Sequence, residues 1–382
     1  MEAFAVSTRS AIDVTRVDDL EAFLDFPRAL YSNDPTWVAP LRAWVRRRLS
    51  PKNPFLKKAE IVLFVARRGG EVVGTISALL DRQHIEHKKE SVAFFGFFEC
   101  VDDVDVAAAL IDAAAGQARA WGVSLLRGPR NLSRVEEVGV TVEGFDKRPP
   151  MLAGHHPAYY QRLLEQLGFR KHHDVLAYDA ELYETDASGA RVLRPLPEKF
   201  LARATVPGVT IQSVRMRTLS RDLDRAHQVF VEAFRDVPDN TPMPREQFKA
   251  MGMGFLFLSN PNMMQIATVG DQAVGFALSF PELNEAIACN DGSLGPAGIA
   301  RLFAGRKKIR TASFKLLGVL PEYRRTGLSA ALIVASMRGI TEAGYERLEG
   351  SLVDERNSKM RNVAEHAGME IYKRYRIYER EL

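Results

Sequence analysis

The sequence predicts an α/β protein made of one mixed α/β unit built twice, and three observations carry that expectation. The chain has 382 residues, enough for two ordinary domains, because one hydrophobic core rarely grows past roughly 250 to 300 residues. Hydrophobic residues make up 46% and charged residues 26%, a balance that marks a globular chain and excludes a disordered or fibrous one. An order of hairpin, strand, helix and strand can be read in the first half and again, after a polar stretch, in the second. The two halves share little identity, so the repeat rests on element order.

Element by element, AEIVLFVARRGGEVVGTISALL (59–80) is an apolar run, an Arg-Gly-Gly turn and a second β-branched run, which predicts a hairpin with Gly69 and Gly70 at its tip. VAFFGFFECV (92–101) reads as a buried strand, DVDVAAALIDAAAGQARAWGV (103–123) as an amphipathic helix ending near Gly122, and SLLRGP (124–129) as the next strand. PAYYQRLLEQLGFRKHHDVLAYDA (157–180) supplies a short helix, a stop at Gly168 and a last strand. The polar, proline-containing residues that follow predict a linker at 186–208 between lobes at 1–185 and 209–382. The second half then gives strand VTIQSVRM, helix DLDRAHQVFVEAFRD, hairpin MMQIATVGDQAVGFALSF, strand TASFKLLGV, helix LSAALIVASMRGITEAG, strand RLEGSLV, helix KMRNVAEHAGM and strand YKRYRIYE.

Composition bounds the compartment and the partners. The longest apolar stretches fall short of the roughly 20 residues that cross a bilayer, and the acidic N-terminal stretch lacks the layout of a signal peptide. Cys100 and Cys289 are the only cysteines, too few for a disulfide framework and consistent with a reducing cytoplasm. Both read as small buried hydrophobes. A net charge of +4 favours an anionic ligand or an acidic membrane surface. There is no zinc-finger spacing, RNP-like strand or long Lys/Arg tract, so no nucleic acid is expected.

The stretch LLGVLPEYRRTGLSAALI (316–333) places RRTG at a strand-to-helix turn, after a strand ended by Pro321 and before apolar helical spacing from Leu328. The first N–H groups of a helix lack partners and carry the positive end of its dipole, so they can hold a pyrophosphate. Gly327 removes the side chain that would keep a phosphate away, and Arg324 and Arg325 add charge. The stretch resembles the acyl-CoA signature of the GCN5-related N-acetyltransferase superfamily, Arg/Gln-x-x-Gly-x-Gly/Ala, with Arg324, Gly327 and Ser329 in its positions after the strand residues Leu317, Gly318 and Val319. Ser329 departs from the usual Gly or Ala but is still small. Asn357, eleven residues before Gly368, matches a further family position.

The resemblance covers residues about 210 to 382 and implies two tandem lobes of this superfamily, each a mixed, mostly antiparallel twisted sheet flanked by helices. It implies acyl-CoA or acetyl-CoA as cosubstrate, held by Leu317, Gly318, Val319, Arg324, Arg325, Thr326, Gly327, Leu328, Ser329 and Asn357. The first lobe has two acidic residues where the signature would stand, and carboxylates there would repel a pyrophosphate, so it resembles the degenerate lobe of tandem members.

The implied reaction is attack of a neutral amine on a thioester, which needs a proton acceptor because a free alkyl ammonium has a pKa of about 10.4. Glu349 and Glu99, carboxylates within apolar runs, are the candidate bases; paired structural carboxylates are the plainer alternative. The tyrosine that protonates the leaving thiolate in this family would fall at Ala364 and is missing; Tyr372, Tyr375 and Tyr378 lie just downstream, and Tyr375 is taken as the candidate acid, with strand packing or a surface position the plainer alternative for each. Asp354 and Glu355 read as loop charges. No metal is expected: the pairs His155/His156 and His172/His173 read as loop or surface residues, since neighbours on a strand point apart and no carboxylate completes a ligand set.

The acceptor is an amine. The segment at 33–58 interleaves Trp37, Trp44 and Phe55 with Arg and Lys, a pattern suited to anionic headgroups and to a peripheral position at the inner membrane face; packing on the other lobe is the plainer alternative. FFGFFE, EGFD and LLGVLPEYRRTG also resemble a bacterial two-lobe group that includes ceramide synthases, which implies a long-chain acyl-CoA and a sphingoid base. Alternatives are acetyl transfer to a small polar amine, a Fem-like transferase using aminoacyl-tRNA, and a non-catalytic acyl-CoA binding module. Oligomeric state is left open.

Overall fold

A computed structural model of the chain describes residues 11–256, 260–288 and 296–382. In the first lobe, strand β1 (Ile12–Arg16) and helices α1 (Leu20–Leu30) and α2 (Arg42–Arg48) precede the hairpin of β2 (Ala59–Arg68) and β3 (Glu71–Asp81). Gly69 and Gly70, at φ 59° and 90°, form its tip, the left-handed pair whose twist suits the flanking strands. Helix α3 (Arg82–Lys88), strand β4 (Ala93–Cys100), helix α4 (Val104–Ala120), strands β5 (Leu125–Gly128) and β6 (Val140–Glu143), helix α5 (Tyr159–Gln166) and strand β7 (Arg170–Glu181) follow. Helix α4 buries Val106, Leu110, Ile111, Ala114 and Ala118, a stripe at three- and four-residue spacing that packs on the sheet.

The stretch between the lobes is structured. It holds a hairpin of β8 (Tyr183–Thr185) and β9 (Arg191–Leu193) and a one-turn helix, α6 (Glu198–Leu201). The second lobe comprises β10 (Thr210–Ser213), α7 (Leu219–Ala233), α8 (Arg245–Leu256), the hairpin of β11 (Met264–Val269) and β12 (Gln272–Pro281), α9 (Asn284–Ile287), α10 (Pro296–Arg306), β13 (Thr311–Val319), α11 (Leu328–Glu342), β14 (Arg347–Asp354), α12 (Ser358–His366) and β15 (Glu370–Glu381). Phe200 of α6 is buried in one cluster with Ala330, Ile333 and Met337 of α11, so the connecting segment lies along the second lobe.

All the strands but β8 and β9 join one sheet, in the order β1-β2-β3-β4-β5-β15-β7-β14-β13-β12-β11-β10, with β6 also paired to β15. Among the described residues only β4–β5 and β13–β14 are parallel, which is the mixed, mostly antiparallel sheet expected. The order is symmetric about its centre, and there the lobes exchange strands. β7 of the first lobe lies against β14 of the second, while β15 of the second lies against β5 of the first. Side chains at this junction are almost completely enclosed, among them Tyr178, Lys373, Tyr375 and Tyr378.

Several expectations about single residues are corrected. His155, His156 and His173 are buried and His172 is half-buried, so none is a free surface histidine. His172 and His173 do not point apart either. β7 carries one extra residue against β15 between the pairs His173–Ile377 and Lys171–Tyr378, and this bulge leaves the two rings 4.7 Å apart, centre to centre. Asp354 is buried at the end of β14 and is no loop charge. Phe55 is buried and Trp37 stacks on Tyr31, so of the three aromatics in the basic N-terminal segment only Trp44 is exposed. Cys100 is buried; Cys289 lies outside the described residues.

Candidate active site

The site begins where two parallel strands part. β13 pairs with β14 only from Thr311–Arg347 to Phe314–Gly350, whereas its other edge stays paired with β12 as far as Val319. From Lys315 to Val319 the edge facing β14 is therefore open, and backbone polar groups there are available to a ligand. A cavity of about 260 Å³ occupies the gap. Its walls are mostly apolar: Phe230, Phe248 and Met251 come from α7 and α8, Phe234 from the residue that ends α7, and Ile333, Met337, Val363 and Ala364 from α11 and α12. Phe230 and Phe248 belong to one apolar cluster and Ile333 and Met337 to another, so the cavity joins two apolar regions through the parted strands. Ala364, where the family's tyrosine would stand, lines it.

At the end of β13 the chain enters α11 through Gly327, whose φ of 94° is left-handed and whose position as N-cap carries no capping side chain. A Cβ there would adopt a strained backbone and approach the Arg203 carbonyl oxygen to 3.1 Å. The first-turn N–H groups of α11 are thus left for an anion. Arg325 is exposed and Ser329 half-buried, and Thr326 Oγ1 donates to the Tyr323 carbonyl at 2.8 Å. Arg324 is exposed but donates to the Ala233 carbonyl at 3.0 Å, satisfying the C-terminal end of α7. Leu317 lines the cavity, with Gly318 and Val319 just beyond it on β13. Across the gap, Asn357 caps α12 by accepting from Met360 N–H at 3.3 Å, and it too lines the cavity.

A buried polar cluster lies where the strands part. Ser313 Oγ donates to Glu282 Oε2 at 2.8 Å and also bonds Glu349 Oε2. Lys315 Nζ reaches Glu349 Oε2 at 3.1 Å, Ser351 Oγ at 2.7 Å and the Met151 carbonyl at 2.9 Å. Met151 N–H donates to Glu282 at 2.9 Å, so a loop of the first lobe closes the cluster. Burial foremost, with the neighbouring Glu349 charge opposing Lys315, pushes the Glu282 carboxyl up to about 7. Glu349 Oε1 and Tyr375 Oη are buried without hydrogen-bond partners among the described residues. Burial, then Glu349, raises the Tyr375 phenol well above its usual value.

The structure therefore brings Tyr375 near Glu349 at the lobe junction, but not Glu99. Glu99 sits in the first lobe, accepting from Tyr31 and from Tyr160 at 2.8 Å, and burial pushes it up to about 8. The corresponding gap in that lobe is closed by its own chain: Arg130 N–H donates to the Phe95 carbonyl at 2.7 Å and Asn131 Oδ1 accepts from Phe97 N–H. Asp103 caps α4 by accepting from Asp105 N–H at 2.9 Å, which puts a carboxylate where an anion would bind. Sequence reasoning missed Glu282, Ser313 and Lys315. The alternation of Ser313 and Lys315 along β13 was a usable signal, but Glu282 follows a proline at a strand end and meets them only through pairing of β12 with β13.

No protein-family model matches the chain. It is 33% identical over 387 residues to the Bacterial ceramide synthase of Caulobacter vibrioides, covering 98% of this chain and 97% of that one. It is 32% identical over 371 residues to Protein YghO of Escherichia coli, covering 96% and 93%. Among solved structures, a tandem GNAT protein from the clavulanic acid biosynthesis pathway superposes with a TM-score of 0.56 at 14% identity, covering 97% of this chain and 98% of that one.

Proposed function

Because this chain belongs to one family with the Bacterial ceramide synthase and has the fold of a tandem GCN5-related N-acetyltransferase, we propose that it takes an acyl group from acyl-CoA and delivers it to a primary amine. The observation that carries this reading is the apolar cavity between the parted strands β13 and β14, lined by Lys315 and Ser351, with Lys315 bonded to the buried Glu349, together with the uncapped start of α11 that follows β13. In the proposal, residues 209–382 hold the cosubstrate and residues 1–185 shape the acceptor side. The turn Arg324–Ser329 takes the pyrophosphate, and the open edge Leu317–Val319 takes the pantetheine arm. Asn357 orders the opposite wall.

The amine nitrogen attacks the thioester carbonyl carbon, and its proton passes to the Glu282–Glu349 pair. Open N–H groups of β13 stabilise the oxyanion. The carbon–sulfur bond then breaks, and Tyr375, which burial keeps protonated, is the group proposed to return a proton to the thiolate. Lys315 holds Glu349 in place. A narrower substrate is proposed as well: a long acyl chain and a sphingoid-type lipid amine. The apolar walls on both sides of the parted strands suit two hydrocarbon chains, and one relative is named a ceramide synthase.

The test is calorimetry of the purified protein against acetyl-CoA and palmitoyl-CoA, followed by mass spectrometry of products with a sphingoid base. Tight binding of palmitoyl-CoA and formation of an amide support the proposal. Binding of acetyl-CoA alone overturns the lipid reading, and binding of neither overturns the acyl-CoA reading.

A further inference from the structure

At the lobe junction, beside the cavity, the bulge in β7 points His172 and His173 at one carboxylate. Asp239 lies in the loop between α7 and α8, in the left-handed region at φ 53°. Its Oδ2 is 3.6 Å from His172 Nε2 and 3.9 Å from His173 Nδ1. Those separations are too long for hydrogen bonds, yet close to the roughly 3.4 Å between donor atoms that a tetrahedral zinc ion with bonds of about 2.0–2.1 Å would impose. One donor atom from each of the three residues lies within 4.8 Å of the other two.

The second observation is the state of the histidines. His173 is 2% exposed, and neither of its ring nitrogens nor His172 Nε2 has a hydrogen-bond partner among the described residues. Buried ring nitrogens without partners are costly unless something ligates them. The far side of each ring meets a carboxylate: His172 Nδ1 is 3.1 Å from Glu379 Oε2, and His173 Nε2 is 3.5 Å from Asp354 Oδ2. A carboxylate behind the non-ligating nitrogen is the arrangement that orients metal-bound histidines and raises their basicity. Arg356 bonds Asp239 Oδ2, and Arg127 Nη1 lies 3.7 Å from Oδ1; a carboxylate oxygen with two lone pairs can accept one guanidinium and ligate an ion with the other. The neighbouring set of His84, Glu90 and Asp239 is less open, since His84 Nε2 already meets Glu90 at 3.1 Å and Arg127 holds that carboxylate.

We infer that His172, His173 and Asp239 form a binding site for a divalent transition metal, zinc by its nitrogen and oxygen donors, that clasps the α7–α8 loop to the central sheet. The loop supplies Val237 and Asn240 to the cavity wall, so the ion would fix that wall and would take no part in acyl transfer.

The test uses full-length protein stripped with a chelator, dialysed, and titrated separately with ZnCl2 and CoCl2. One equivalent should bind, and cobalt should show the visible bands of a tetrahedral centre. His172→Gln, at a half-buried position that spares the core, should abolish both signals, with circular dichroism reporting the fold. Glu379→Gln should keep the site and weaken it about tenfold or more, as loss of an orienting carboxylate does. No stoichiometric binding, or binding unchanged in folded His172→Gln, overturns the inference.

Discussion

Glu282 shows how burial alone can prepare a group for chemistry. A carboxyl ordinarily ionising near 4.5 is pushed to about 7 because the enclosed cluster offers little solvation to its charge, with Lys315 recovering part of the loss. Two consequences of opposite sign follow. The stability that the neutral carboxyl contributes is fully present below about 4.5 and is lost as pH rises through about 7, on the order of a few kcal/mol. The base becomes available over the same interval, so amide formation should rise with pH through about 7. Glu282→Gln should slow turnover by roughly a hundredfold or more and flatten both profiles, which paired rate and thermal-melting measurements from pH 5 to 8 would check. A variant that keeps the rising rate profile would exclude Glu282 as the proton acceptor.

At the scale of single elements, the turn from β13 into α11 was the most legible part of the chain. Arg, Gly and an apolar helix sit at a spacing that local backbone physics alone requires, and Gly327 does take the left-handed conformation. What the sequence hid lies in pairings between distant strands. Glu349 was picked out for its apolar neighbours, but its partners Ser313, Lys315 and Glu282 come from β13 and the end of β12. The histidines of β7 were misread because a bulge overrides the alternation of a regular strand. For the turn itself, Gly327→Glu forces a β-carbon into a positive-φ position near Arg203 and brings a carboxylate to the N–H groups of α11. Calorimetry should find acyl-CoA binding lost in this variant. Gly327→Ala should weaken it less, with a destabilisation of about 1 kcal/mol from the backbone. Binding unchanged in folded Gly327→Glu would move the cosubstrate elsewhere.

For the whole molecule, two lobes were readable from repeated element order, but the exchange of β7 and β15 was not, because a strand's periodicity says which face is buried and not which neighbour it pairs with. The exchange binds the lobes together. Residues 209–382 alone would lack β5, β6 and β7, leaving one edge of β14 and both edges of β15 open, together with the enclosed Tyr375 and Tyr378. Residues 1–185 alone would likewise lose β15 from both β5 and β7. Open edges and uncovered apolar surface of that kind promote aggregation. Each half produced separately should therefore be aggregated or largely unfolded by size-exclusion chromatography and circular dichroism, while the two produced together should recover a one-to-one complex. If residues 209–382 were monomeric, cooperatively folded and able to bind acyl-CoA alone, the central strands would not be what holds that lobe's site in shape. The cavity would then owe its form to α7, α8 and α11.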